Sequence, residues 1–258
     1  MLMALSIAAL AQGDERSLNC NDKWNNWGNN WKSTCRMQEM TLPAVGGLFT
    51  VDGRGNGSVK VKGWDKNEIL VRAQIQGFGK SQEDADSYGQ QARMVVEGST
   101  VRGEGPQVRG SGGWSVSFEV FVPRRSDLSL KGSNGSLALY DVQGSIELNT
   151  TNGSVNLRNV AGNVRGGTVN GSLNVELEGS SWQGEGLDLR TTNGSVKLVL
   201  PDGYNAHFEA RTVNGGMRFD FPVTVVGKIE RDINTNLGNG GAPIRVQTTN
   251  GSISLKRK

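Results

Sequence analysis

The sequence predicts a mainly β protein: a parallel β-solenoid of about 18-residue coils, preceded by an N-terminal α/β capping segment with one helix. Three observations lead there. Asn-Gly-Ser recurs, starting at Asn56, Asn134, Asn152, Asn170, Asn193 and Asn250, with Asn-Gly-Gly at Asn214. From Asn134 the spacings are 18, 18, 23, 21 and 36. Apolar residues alternate with polar ones on both sides of each Asn-Gly step, which is the period of a strand. Finally, 37 of the 258 residues are Gly, roughly twice average usage, without the three-residue period of collagen.

The elements follow in chain order. Residues 1–11 read as a secretory leader: Leu2–Leu10 is short and apolar, and Ala9-Leu10-Ala11 has small residues at the cleavage positions before Gln12. No Lys or Arg precedes the apolar run, as such a leader would normally carry. Residues 12–40 form a Trp- and Asn-rich segment. Its Cys20 and Cys35 are the only cysteines, and an even count in an exported chain predicts a disulfide. Trp24, Trp27 and Trp31 sit among amides in that loop and form a candidate ligand surface, since aromatic rings stack on sugars. The competing reading packs them back onto the N-terminal cap.

Residues 41–122 read as the α/β cap. Val45–Val61, with an early turn at Asn56, and Glu68–Gln76, Met94–Arg102 and Trp114–Val122 read as strand. Ser81–Arg93 reads as the helix, with Ser81 as N-cap. A stack of coils has open ends that need such covering.

Residues 123–258 are the coils. Apolar pairs lie three and five residues after each Asn, as in Val155 and Leu157 or Val196 and Leu198. Others lie six and four residues before it, as in Ile146 and Leu148 or Leu187 and Leu189. The spacing of 36 is twice 18 and predicts a degenerate coil near Asp232. Asn-Gly between alternating strands is also the strongest local hairpin signal, so an antiparallel meander competes. Only stacked coils require the same residue type at the same phase each time. Asn134, Asn152, Asn170, Asn193, Asn214 and Asn250 are thus expected to form a structural ladder at one corner, with Asn and Gly supplying positive φ. Thr150, Thr168, Thr191, Thr212 and Thr248 share the apolar phase and should point inward.

Composition narrows the function. The net charge of +3 is spread along the chain, without the basic, aromatic-bearing stripe of a nucleic-acid binder. The terminal Lys256, Arg257 and Lys258 read as a solvated tail. No apolar run is long enough for a transmembrane helix. His207 is the only histidine, no metal-ligand spacing occurs, and Gly103–Gly113 lacks the lysine-bearing helix of a phosphate loop. No catalytic, cofactor-binding or metal-binding residues are expected. Glu147, Asp188 and Glu209 share a phase with Arg165, which reads as charge pairing between coils rather than an acid-base pair.

Several segments resemble a bacterial family. They are Thr-Thr-Asn-Gly-Ser beginning at Thr150, Thr191 and Thr248, Gly63-Trp64-Asp65 before a Val-Arg-Ala strand, Val120-Phe121-Val122-Pro123, and Gly184–Leu189. Together, from about Cys35 onward, they look like the "putative adhesin" domain of β-strand-repeat proteins, a domain of unknown function. The resemblance implies a solenoid-like fold, an envelope or surface location and no assigned catalysis; the family has no binding residues to transfer. The expectation is an exported bacterial protein of the periplasm, cell surface or exterior. It would be non-catalytic and bind a glycan or another envelope protein. A self-assembling structural or envelope-stress accessory role is the alternative, and a carbohydrate-active enzyme ranks last.

Overall fold

The structure is a computed structural model describing residues 17–20, 30–108, 110–220 and 231–258, and its regular structure is mainly β. The expected leader, Trp24 and Trp27 lie outside the described residues. The N-terminal part contains β1 (Lys32–Pro43), β2 (Phe49–Asp52), β3 (Val59–Trp64), β4 (Glu68–Gly79), α1 (Gln82–Gln91), β5 (Arg93–Glu97), β6 (Thr100–Glu104) and β7 (Gly112–Pro123). The repeats follow as strand pairs: β8 (Leu128–Lys131) and β9 (Leu137–Tyr140), β10 (Gln143–Asn152) and β11 (Val155–Arg158), β12 (Ala161–Asn170) and β13 (Leu173–Glu176), β14 (Gly186–Asn193) and β15 (Val196–Leu200). The last elements are β16 (Ala206–Asn214), β17 (Met217–Phe219), β18 (Asp232–Leu237), β19 (Pro243–Asn250) and β20 (Ile253–Arg257).

These strands form two ten-stranded sheets. Sheet 1 runs β1-β4-β7-β3-β9-β11-β13-β15-β20-β17, and sheet 2 runs β18-β16-β19-β14-β12-β10-β8-β2-β6-β5. Asn-Gly-Ser is not a hairpin: it carries the chain from sheet 2 to sheet 1. Each strand then lies parallel to its counterpart one repeat away, as in Ile146↔Val164 and Val155↔Leu173. Period-two alternation explains which side is buried. Leu128, Leu130, Leu148 and Leu189 from sheet 2 meet Leu137, Leu139, Val155 and Leu173 from sheet 1, all fully buried. Each such side chain contributes about 2 kcal/mol by leaving water.

The corner Asn side chains hydrogen-bond from rung to rung. Asn152 Nδ2 donates to Asn134 Oδ1 at 2.7 Å, and Asn170 to Asn152 at 2.8 Å. Asn134 donates to Asn56, which brings the first Asn-Gly-Ser into the ladder. The glycine beside each Asn has a reason other than the expected positive φ, because neither residue has it. A Cβ on Gly153 would lie 2.2 Å from the Gly135 carbonyl oxygen, and one on Gly171 2.1 Å from that of Gly153. Close backbone stacking at the corner, not turn geometry, selects Gly. Left-handed φ falls instead at Asp141 and Asn159, among others, at the opposite corner, where Asn159 Nδ2 donates to Asp141 Oδ1 at 2.7 Å. The Thr column is buried, and its hydroxyls donate to corner carbonyls: Thr150 to Gly135 at 2.9 Å and Thr191 to Gly171 at 2.8 Å.

The C-terminal end departs from sequence order. Near Asp232 there is no parallel coil: β18 is antiparallel to β16. The next strands, β19 and β20, insert between the β14–β15 rung and the β16–β17 rung. Asn250 therefore bridges Asn193 and Asn214 in the ladder. The basic tail is not merely solvated, since Lys258 Nζ reaches Glu176 at 2.8 Å and Arg257 Nε reaches Asp202 at 3.0 Å.

At the other end, β1, β4 and β7 are antiparallel, while β3 pairs with β7 on one side and β9 on the other. Sheet 1 therefore runs from the N-terminal strands into the repeats through β3–β9, and sheet 2 does so through β2–β8. Helix α1 starts at Ser81, whose side chain accepts from the Asp84 N–H at 3.0 Å. It packs closely on β4, where a Cβ on Gly77 would lie 2.1 Å from the Ala85 carbonyl oxygen. Arg36 of β1 secures its end by donating to the Ala92 carbonyl at 2.6 Å. Cys20 and Cys35 are joined by a disulfide, with Cα atoms 5.7 Å apart, tying residues 17–20 to β1.

Candidate functional site

Parallel registry makes outward-facing side chains into rows across the rungs, so each sheet has a chemically defined outer face. On sheet 2 the row is Glu147, Arg165, Asp188, Arg245, Glu209. Charge alternates at every step. Arg245 Nε lies 2.8 Å from Glu209 Oε2, and that hydrogen bond holds the Glu209 carboxyl below the usual carboxylate range, against a smaller opposing effect of burial. A shallow depression of about 450 Å³ beside this row includes Arg165, Gly167, Asp188 and Arg190. Within it Arg190 Nη2 lies 3.1 Å from Asp188 Oδ2.

The outer face of sheet 1 has a groove of about 560 Å³ spanning the rungs from β3 to β15. Its floor row is Lys60, Ala138, Asn156, Asn174, Lys197. Along one wall run Tyr140, Arg158, Glu176 and Val199, with Ser58 and Ser136 on the other side. The Asn174 amide donates to Asn156 Oδ1 at 2.9 Å, fixing both amides. The Arg158 guanidinium lies 5.0 Å from the Tyr140 ring centroid, so each holds the other's plane. Glu176 is engaged by Lys258, whose ammonium is stabilised in its charged form chiefly by that hydrogen bond.

Beyond Lys60 the same face leads to Glu119 on β7, which is 1 % exposed. Arg72 Nη1 lies 2.7 Å from its Oε2, and Lys62 and Lys60 lie 3.7 and 4.0 Å from Oε1. Leu18 N–H also donates to Glu119, and Gln74 donates to the Asn19 carbonyl, so residues 17–19 lie over this end.

The residues singled out in the sequence are elsewhere. Trp31 precedes β1, half-buried, with its ring 6.3 Å from Phe78. It is not among the groove-lining residues. The Asn ladder occupies the exposed corner between the sheets. Sequence reading missed Tyr140, Asn156, Arg158, Asn174 and Lys197. Their signal was the polar phase of the strands following each Asn, but the residue types there change from repeat to repeat.

The Toastrack DUF4097 family profile matches residues 50–256. The chain belongs to that family. The Toastrack match covers β2 through most of β20, including every residue of the groove, and agrees with the resemblance to "putative adhesin" domains of unknown function. No curated protein matches the chain. Solved structures similar to it include a "putative cell adhesion protein" from Clostridium sporogenes, 10% identical, covering 88% of this chain and 100% of its own, with a TM-score of 0.44. Others are a "putative adhesin" from Bacteroides fragilis (10% identity, 87% and 97% coverage, TM-score 0.35) and a "putative lipid binding protein" from Parabacteroides distasonis (11%, 87% and 96%, 0.30). No helix among the described residues is long and apolar enough to cross a membrane.

Proposed function

We propose that this Toastrack chain is an exported, non-catalytic binding module of the bacterial envelope or surface. In this reading the two sheets are the faces of one β-solenoid, residues 1–11 are its leader, residues 12–40 a Trp- and Asn-rich segment with a disulfide, and residues 41–122 its N-terminal cap. It holds an extended glycan on the outer face of sheet 1. The observation that carries the reading is the open groove across successive rungs, with a bonded amide pair on its floor, a fixed aromatic ring on one wall and serine hydroxyls on the other. Rings offer stacking surfaces, while amides and hydroxyls both donate and accept hydrogen bonds, the combination sugars need. The disulfide accords with an oxidising compartment.

A glycan array probed with the mature chain tests the proposal. Tyr140→Ala and Asn156→Ala should each weaken the hits at least several-fold, while a Trp31→Ala variant should not. Binding unaffected by the groove variants would reject the site, and another envelope protein would then be the partner to seek. Self-assembly is the second reading, favoured by β1, a twelve-residue strand at the edge of sheet 1. Sedimentation that changes with concentration would support it.

A further inference from the structure

The two outer faces handle charge differently. On sheet 2 acids and arginines alternate rung by rung. Within the groove on sheet 1, from β3 to β15, cations return at every second rung: Lys60 and Lys62 on β3, Arg158 on β11, Lys197 on β15. The rungs between them offer Ala138 and Tyr140 on β9, then Asn174 and Glu176 on β13. Glu176 is already bound by Lys258. At the β3 end Glu119 shares Lys60, Lys62 and Arg72, and Arg72 also binds Glu39, which leaves an excess of positive charge there. The cationic rungs are thus about 10 Å apart, twice the separation of neighbouring strands.

We propose that the groove selects an acidic polysaccharide carrying its anionic groups on alternate sugar rings. This rests on the groove being the glycan site proposed above. An extended pyranose ring spans roughly one rung, so a chain lying across the strands places one ring per rung. Acid-bearing rings then face Lys60, Arg158 with Asn156, and Lys197, and the intervening rings face Ala138 and Tyr140, then Asn174. Arg158 suits a carboxylate or sulfate because its planar fork is held by the Tyr140 ring before the ligand arrives. The attraction is partly exposed, so it weakens as salt rises.

The test uses the full mature chain and fluorescein-labelled oligosaccharides of equal length, read by anisotropy at 0.15 M salt (a level at which the screening length is about 8 Å). The probes are hyaluronan, with a uronate on alternate rings; polyuronate, with one on every ring; and dextran, which is neutral. Hyaluronan should bind at least ten-fold more tightly than dextran. An Arg158→Ala/Lys197→Ala variant with an unchanged melting temperature should lose that advantage. Tighter binding of polyuronate would overturn the alternate spacing. Equal binding of dextran, weakened by Tyr140→Ala but not by the double variant, would overturn the acidic class and leave the groove standing. No binding of any probe, or binding that Tyr140→Ala leaves unchanged, would overturn the groove itself.

Discussion

Thr191 shows how one hydroxyl fits an otherwise apolar interior: it is buried, and its Oγ1 donates to the Gly171 carbonyl of the preceding rung at 2.8 Å. Thr191→Val keeps the shape and leaves that carbonyl without this donor. A loss of about 1 kcal/mol in urea unfolding is expected. Gly171→Ala should cost more, since its new Cβ would meet the Gly153 carbonyl oxygen at 2.1 Å and the corner backbone would have to move. Buried Glu119 holds Arg72 on one oxygen and has two lysines near the other. Glu119→Gln should lower stability by about 2 kcal/mol, because the surrounding cations would then lack their counter-charge. It should also loosen residues 17–19, measurable as faster amide exchange at Leu18, whose N–H donates to that carboxylate. At this scale the inward Thr phase was legible from its spacing alone. The reason for the corner glycines was not, because it lies in a neighbouring rung's carbonyl, remote in sequence.

The β19–β20 rung is the element whose position sequence order misassigns. Every rung offers the same corner Asn, inward Thr and aliphatic pairs, so local pattern fits either order. Charge tells them apart: sequence order would put Asp188 beside Glu209, whereas the observed order puts Arg245 between them. Like charges directly opposed across strands destabilise a sheet. Arg245→Glu should therefore cost about 1 kcal/mol, and Asp188→Arg in the same chain should restore part of it. The ladder also has a pH dependence. Glu209 titrates below its unfolded value because of Arg245. Its contribution is complete above the unfolded carboxylate pKa and is lost as pH falls through the folded one. Melting temperatures followed from pH 7 to pH 3 should fall through that acid range, less steeply in Arg245→Ala. The groove was hard to read for a related reason. Recognition surfaces require different side chains on successive rungs, and that variety removes the periodicity by which a sequence reveals a face.

Across the molecule, the two ends are closed differently. At one end, β1, β4 and β7 with α1 extend sheet 1, and the disulfide fastens the segment lying over it. Reducing that bond opens a loop of 15 residues' separation and should lower stability by about 3 kcal/mol, which thermal melts with and without reductant would measure. At the other end, among the described residues, the strands hydrogen-bonded to β16 and β17 are β18, β19 and β20. Residues 243–257 thus hold residues 206–219 to the rest of the stack, although they are synthesised after them. A nascent chain cannot seat that outer rung in its final place until the later strands have emerged. Assembly at this end must therefore wait until residues 243–257 have been made, and residues 206–219 remain open to chaperones and proteases until then.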